Sequence, residues 1–462
     1  MKSPSFTRRG LLTAAAAGLV AKARAAATKP NILFILADDF GYADLSCYGR
    51  REYTTPNIDR LASEGARFTQ AYANSAVCTA SRVALITGRY QYRLPVGLEE
   101  PLGNNRHVGL PPSHPTLPSL LKKAGYGTTL LGKWHLGSLP DFGPLQSGYD
   151  HFWGFRGGAL DYFTHKSGGA NTDTEDLWDG DAKVHENGYL TDLLGDRALA
   201  SIDAYAKAKT PFFISLHFNA PHWPWEGPGD EALSKQLTTL GAFDSGTLAT
   251  YGAMVRRMDF QVGRMMRGLR KAGLDRNTIV VFTSDNGGER YSDTWPFTGK
   301  KTELLEGGLR IPALIRWPGH IKPGTVCEQM AIGMDWAPTL LAAAGGQADS
   351  AYPFDGMNLL PVVTGQSQPA PRKLYWRYRL NAQRAVRDGD MKWLRINGNT
   401  FLFDVVADPL ERANLKATRP DVFARLEADY QTWQATMLPE DPAATTYGFH
   451  PAQLADHYSP QP

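Results

Sequence analysis

The 462-residue sequence predicts an α/β fold: a large mixed, mostly parallel sheet sandwiched by helices, with a smaller C-terminal subdomain built on an antiparallel sheet. Short apolar runs alternate with helical patterns through most of the chain, which is how strands buried on both faces and their crossover helices read. Near residue 370 the texture changes to brief strand-like segments separated by turn dipeptides. Apolar residues make up 42% and charged residues 21%, which excludes disordered and collagen-like chains. Three cysteines, Cys47, Cys78 and Cys327, exclude a disulfide-stapled scaffold.

The first segment, residues 1–27, reads as an export signal. Arg8-Arg9 precede a short alanine-rich apolar run, Leu11 to Ala21, and Ala25-Ala26-Ala27 offer a small-residue cleavage site. Paired arginines predict the twin-arginine route and a periplasmic or secreted protein. The run is too short to span a bilayer, which takes roughly 20 apolar residues, so no stable membrane insertion is expected. All five charges of this leader are positive, so the formal charge of +3 becomes slightly negative for the remainder. That leaves no basic footprint for nucleic acid.

Residues 28–368 are expected to form the large N-terminal domain. Asn31–Ala37 is a continuous apolar run closed by Asp38-Asp39, and similar runs cover Thr128–Leu131, Phe212–His217, Thr278–Thr283 and Pro312–Arg316. Helical patterns cover Ile58–Glu64, Leu117–Ala124, Tyr189–Lys207, Thr247–Ala272 and Met334–Ala344. Phe155–Asn187, rich in Gly, Asp and Thr, reads as long loops over a cleft. Residues 369–462 are expected to form the C-terminal subdomain. Its segments Leu374–Tyr378, Gln383–Arg387, Lys392–Ile396 and Phe401–Phe403 are separated by hairpin signals such as Asp388-Gly389 and Asn397-Gly398, and a helix follows near Pro420–Thr432.

Polar groups collect where apolar runs end. In an open α/β sheet that is the edge where functional residues gather. Asp38-Asp39 and Asp285-Asn286 offer three carboxylates and an amide, hard oxygen donors suited to Ca²⁺ or Mg²⁺. Adjacent side chains on a strand point to opposite faces, so both Asp38 and Asp39 reach one ion only if the strand breaks there. Either pair alone reads as a helix cap or turn. Cys78 stands at the start of a helix ending at Gly88, with Arg82 one turn on. The dipole would favour a thiolate there, and the pair could hold an anion; a lone cysteine otherwise reads as a small buried hydrophobe. Lys133 and His135 are two apart and would face one way in an extended segment. A cation and an imidazole side by side suit oxyanion neutralisation and proton transfer. His222 lies on a proline-bounded turn, and Lys300-Lys301 stand beside Glu306-Gly307-Gly308. Each histidine alone reads as structural and each lysine alone as a surface charge. Trp153, Trp223, Trp225 and Trp295 read equally as a ring-binding cleft and as core packing.

The set resembles a known family. Cys78-x-Ala80-x-Arg82 followed by Thr87-Gly88-Arg89 looks like the sulfatase signature, and Gly132-Lys133-Trp134-His135 looks like the second one. Asp38-Asp39, Pro221-His222-x-Pro224, Ser284-Asp285-Asn286-Gly287, Lys301 through Glu306-Gly307-Gly308, and Asp404 with Asp408-Pro409-x-Glu411-x-x-Asn414-Leu415 follow the family order, from about Lys29 to about Leu415. The resemblance implies a type I, formylglycine-dependent sulfatase of the alkaline phosphatase superfamily, hydrolysing an aryl sulfate or a sulfated carbohydrate.

On that resemblance, Cys78 is converted to formylglycine, whose hydrate is the nucleophile and carries the sulfo-enzyme intermediate. Asp38, Asp39, Asp285 and Asn286 bind Ca²⁺, with Mg²⁺ as the alternative. Arg82 steadies the hydrate, and Lys133, His222 and Lys301 neutralise sulfate. His222 or Lys301 protonates the leaving oxygen, and His135 accepts the proton that lets sulfate leave. The expected partners are the substrate and a maturation enzyme acting on Cys78; Ala80 replaces the commoner proline, which leaves the identity of that enzyme open, and oligomeric state is not readable. Counting back from Glu306 selects Lys301 over Lys300. The other readings are a phosphate or phosphonate ester hydrolase of the same superfamily and a non-catalytic glycan-binding relative.

Overall fold

A computed structural model describes residues 29–103, 105–168, 174–240 and 246–449. The leader read over residues 1–27 lies outside the described residues. The main sheet has ten strands, in the order Thr325–Cys327, Ala66–Phe68, Ala313–Arg316, Thr278–Ser284, Asn31–Ala37, Phe212–His217, Gly127–Lys133, His151–Phe155, Trp178–Asp179 and Ala182–Lys183. Asn31–Ala37 pairs in parallel with both neighbours, and Gly127–Lys133 runs parallel to Phe212–His217 and His151–Phe155. Ala313–Arg316 runs antiparallel to Thr278–Ser284, and the sheet is therefore mixed. The short strands at both edges escape the apolar-run criterion because two or three residues leave no periodicity to read.

Alternation along the central strands divides the core. Leu33, Ile35, Val280, Phe282, Ile214 and Leu216 pack under the helices Pro56–Glu64, Leu190–Ala208 and Leu248–Lys271. Ile32, Phe34, Ile279, Val281 and Phe213 face Cys78–Thr87, Leu117–Lys123 and Trp336–Ala343 on the other side. Two apolar faces with helices on both is what continuous apolar runs require. The parallel register aligns Ala37 with Ser284 and Leu36 with His217, so the residues following these strands emerge side by side at one edge.

The C-terminal sheet, Lys373–Tyr378, Gln383–Asp388, Met391–Ile396 and Asn399–Asp404, is an antiparallel meander packed against the helix Pro420–Gln434. Its contact with the rest of the chain contains a buried ion network. Lys392 Nζ lies 3.0 Å from Glu306 Oε1 and 2.9 Å from Glu411 Oε1, and Arg310 Nε lies 2.7 Å from Glu306 Oε2. Glu411 also accepts the Glu306 backbone N–H at 2.7 Å. The Asp404–Leu415 motif is thus a structural clasp: Asp408 and Asn414 accept backbone N–H groups of Arg412, Ala413 and Leu402.

Candidate active site

The strand Asn31–Ala37 stops at Asp38 because the chain turns sharply: Asp39 has φ +59°, in the left-handed region. That turn lets two consecutive acids serve one centre. Asp38 N–H donates to Ala220 O (3.2 Å) and Asp39 N–H to Asp285 Oδ1 (3.2 Å), which ties three strand ends together. Cys78 opens the helix Cys78–Thr87 with its side chain aimed at this turn; Sγ lies 3.5 Å from Asp38 Oδ1 and 4.0 Å from Asp39 Oδ1. The helix ends as expected at Gly88, φ +68°.

Three cations surround the acids or hold them. Arg82 donates from Nε to Asp285 Oδ2 (3.0 Å), and its Nη2 lies 2.8 Å from the same oxygen and 3.6 Å from Asp38. Lys133 Nζ reaches Asp38 Oδ2 and Lys301 Nζ reaches Asp39 Oδ2, each at 2.7 Å. Lys301 Nζ is 3.3 Å from His222 Nε2, whose own Nδ1 faces Trp223 O at 2.7 Å. His135 does not continue an extended segment beside Lys133. The strand ends at Lys133, His135 adopts φ +56°, and its Nε2 meets Leu102 O at 2.9 Å while Nδ1 has no protein partner. All ten expected residues are buried and converge on one edge of the sheet, except that His135 approaches from the side.

Burial sets the protonation pattern. The Cys78 thiol is pushed far up by desolvation, which outweighs the opposing charges of Lys133 and Lys301. Burial therefore opposes the thiolate that the helix dipole would favour, and a protonated thiol is a poor nucleophile. Asp38 is pushed up to about 7 by burial and by the charge of Asp285. For Asp285, desolvation is overcome by Arg82 and Lys133, and its carboxyl is held low. Burial, with Lys133 and Arg82, holds His135 well below its ordinary value; burial with Lys301 and Lys133 does the same for His222. Lys301 is held well above: desolvation opposes this, but Asp39 and the other acidic groups around it together outweigh it.

The donor set fits a hard divalent cation. Donor atoms of Asp38, Asp39, Cys78 and His222 all lie within 4.8 Å of one another, and Asp285 and Asn286 adjoin them through Asp39. Asn286 donates from Nδ2 to Asp39 Oδ1 (2.8 Å), which leaves its fully buried Oδ1 without a partner. A buried amide oxygen in that state calls for a ligand.

Two residues here went unread in the sequence. His217 ends its strand 3.3 Å from Arg82 Nη1, and Glu289, three residues beyond Asn286, is buried and pushed up to about 7 by burial and by Asp39. Polar residues spaced two apart, Ser215 and His217, in an otherwise apolar strand were the available signal for the first. Of the four tryptophans, Trp153 and Trp225 are core residues, Trp223 packs on His222 with ring centroids 4.4 Å apart, and Trp295 is 67% exposed.

A mixed sheet that gathers acids, cations and a helix-borne residue 78 at one edge suits the hydrolysis of an anionic ester. The chain belongs to the sulfatase family: the Sulfatase family model matches residues 30–346. A second model, N-sulphoglucosamine sulphohydrolase, C-terminal, matches residues 297–433. Mouse N-acetylgalactosamine-6-sulfatase is 35% identical over 403 residues, covering 83% of this chain and 74% of that protein. Human arylsulfatase A is 32% identical over 466 residues, covering 91% and 85%. The crystal structure of Ps i-CgsB in complex with k-i-k-neocarrahexaose is 30% identical, with TM-score 0.81 over 91% of this chain and 95% of that one. The protein is a sulfatase, a hydrolase of sulfate monoesters.

Proposed function

We propose that this sulfatase acts on a sulfated carbohydrate through a formylglycine made from Cys78, with Ca²⁺ or Mg²⁺ held by Asp38, Asp39, Asp285 and Asn286. The placement of Cys78 Sγ 3.5 Å from Asp38, inside the cations Lys133 and Lys301, carries this reading. Formylglycine supplies, as its hydrate, one hydroxyl to attack sulfur and a second that lets sulfate leave; a divalent cation supplies charge neutralisation at a sulfate oxygen.

The chain's own groups do the rest. Lys133 and Lys301, both buried, place positive charge beside the negative charge of the sulfuryl oxygens. Lys301, protonated and touching His222 Nε2, supplies a proton to the departing oxygen, directly or through His222. His135, neutral by burial with a free Nδ1, accepts the proton of the second hydroxyl. Arg82 holds Asp285 and faces Asp38, fixing the acids beneath residue 78. Support for a sugar substrate comes from relatives named for N-acetylgalactosamine-6-sulfate chemistry and from one crystallised with a neocarrahexaose. The charge pattern of residues 1–27 supports export by the twin-arginine route, and no helix among the described residues is long and apolar enough to cross a membrane.

Mass spectrometry of the Cys78 peptide from exported protein tests the nucleophile. The expected result is loss of the thiol mass and appearance of the aldehyde. Turnover of aryl sulfate, aryl phosphate and aryl phosphonate by the same sample tests the ester class, with sulfate turned over fastest. An unmodified thiol in active protein, or phosphate far ahead of sulfate, overturns the reading.

A further inference from the structure

We propose that His217 is a positioning residue of this site: it clamps the Lys133 backbone carbonyl and, through that carbonyl, the Arg82 guanidinium. The proposal rests on Arg82 and Lys133 serving the reaction as described above.

Phe213, Ser215 and His217 share one face of a fully buried strand and line an apolar cavity behind Arg82, together with Phe34, Trp134 and Trp336. Two polar side chains there cost desolvation unless every polar atom is bonded. His217 Nε2 lies 2.8 Å from Ser215 Oγ, and His217 Nδ1 lies 3.1 Å from Lys133 O and 3.3 Å from Arg82 Nη1. Arg82 Nη1 also donates to Lys133 O at 3.2 Å.

These contacts select a tautomer. A guanidinium only donates and a carbonyl only accepts. Nδ1 lies nearer the Lys133 carbonyl (3.1 Å) than Arg82 Nη1 (3.3 Å), and two acceptor lone pairs would repel at that shorter distance, which favours the proton on Nδ1. With the proton on Nδ1, His217 donates to the same carbonyl and Nε2 accepts from the Ser215 hydroxyl, so both ring nitrogens are used. Burial and the Arg82 charge hold the imidazole down to about 3, which keeps it neutral. One carbonyl thus receives two donors. The Lys133 side chain is left to reach Asp38, and Arg82 Nε and Nη2 are left for Asp285.

The backbone is built for this approach. Gly132 pairs with His217 in the sheet register and has φ +100°; a Cβ there would lie 1.9 Å from His217 O. Only glycine brings the two strands close enough for the bond from Nδ1 to form.

His217→Leu and His217→Asn test the clamp with 4-nitrophenyl sulfate, each rate normalised to the formylglycine content at residue 78. The Asn amide N–H sits near the Nδ1 position. The Leu variant is expected to lose kcat on the order of 100-fold with KM little changed, since small misplacement of a catalytic group has that effect. The Asn variant is expected to recover most of the loss. Wild-type kcat in the Leu variant, or a loss that Asn does not rescue, overturns the proposal. Should the Leu variant fail to fold, His217→Gln replaces it, presenting its amide at the Nε2 position. Asn is expected to exceed Gln in kcat, and equal or reversed rates overturn the proposal. Arg82→Ala and Lys133→Ala run alongside. Activity retained there sinks the wider site reading, whereas activity lost there but kept in His217→Leu sinks this inference alone.

Discussion

His135 shows how a single residue is placed by what cannot stand next to it. Its ring lies against Gly158, where an added Cβ would come 2.6 Å from Cε1 and 2.8 Å from Nε2. Gly158→Ala is therefore expected to displace the imidazole and lower kcat on the order of 100-fold. Circular dichroism and melting temperature should stay near wild type; unchanged turnover would remove His135 from the reaction. The motif residues themselves were legible because each belongs to a short local pattern. Gly158 was not, because its role exists only once two distant loops meet. For Cys78 the helix dipole, readable in the sequence, is opposed by burial, which is a property of the fold and raises the thiol.

At the scale of elements, most helices and central strands fell within a residue or two of their sequence-read limits, since long periodic segments declare themselves. Helix Leu248–Lys271 matches the reading over Thr247–Ala272. The segment read as loops over Phe155–Asn187 contains two short strands, Trp178–Asp179 and Ala182–Lys183, which extend the sheet edge. Past the strand Phe212–His217 the chain buries Glu226, which accepts the Tyr162 N–H (3.0 Å) and is pushed up to about 9 by burial and by Asp161. A carboxyl with a raised folded value binds its proton more tightly folded than unfolded. Its stabilising contribution is complete below the ordinary value of 4.5 and is lost as pH rises toward 9. Glu226→Gln keeps the donor without the titration. Its melting temperature relative to wild type is expected to climb steadily between pH 5 and 9; a constant difference across that range would show Glu226 ionised throughout.

For the whole molecule, the decisive join is between the catalytic sheet and the C-terminal meander. The sequence showed that both exist. It did not show that Glu306, five residues beyond Lys301, anchors the join, because ion partners from three distant segments cannot be paired by eye. Glu306, Lys392, Glu411 and Arg310 are all buried, and removing one member leaves an uncompensated charge. Lys392→Met is expected to cost about 3–5 kcal/mol in denaturant unfolding, while Glu306→Gln, isosteric but uncharged, should also lower kcat by loosening Lys301. If the Lys392→Met chain unfolds at wild-type denaturant concentration, the network is incidental.

The same join ties the site to the far end of the fold. The meander holds Glu306, five residues beyond Lys301, through Lys392, and Glu411 pairs with the same lysine, so a polypeptide cut before Lys392 keeps Lys301 but loses the ion pairs that anchor its segment.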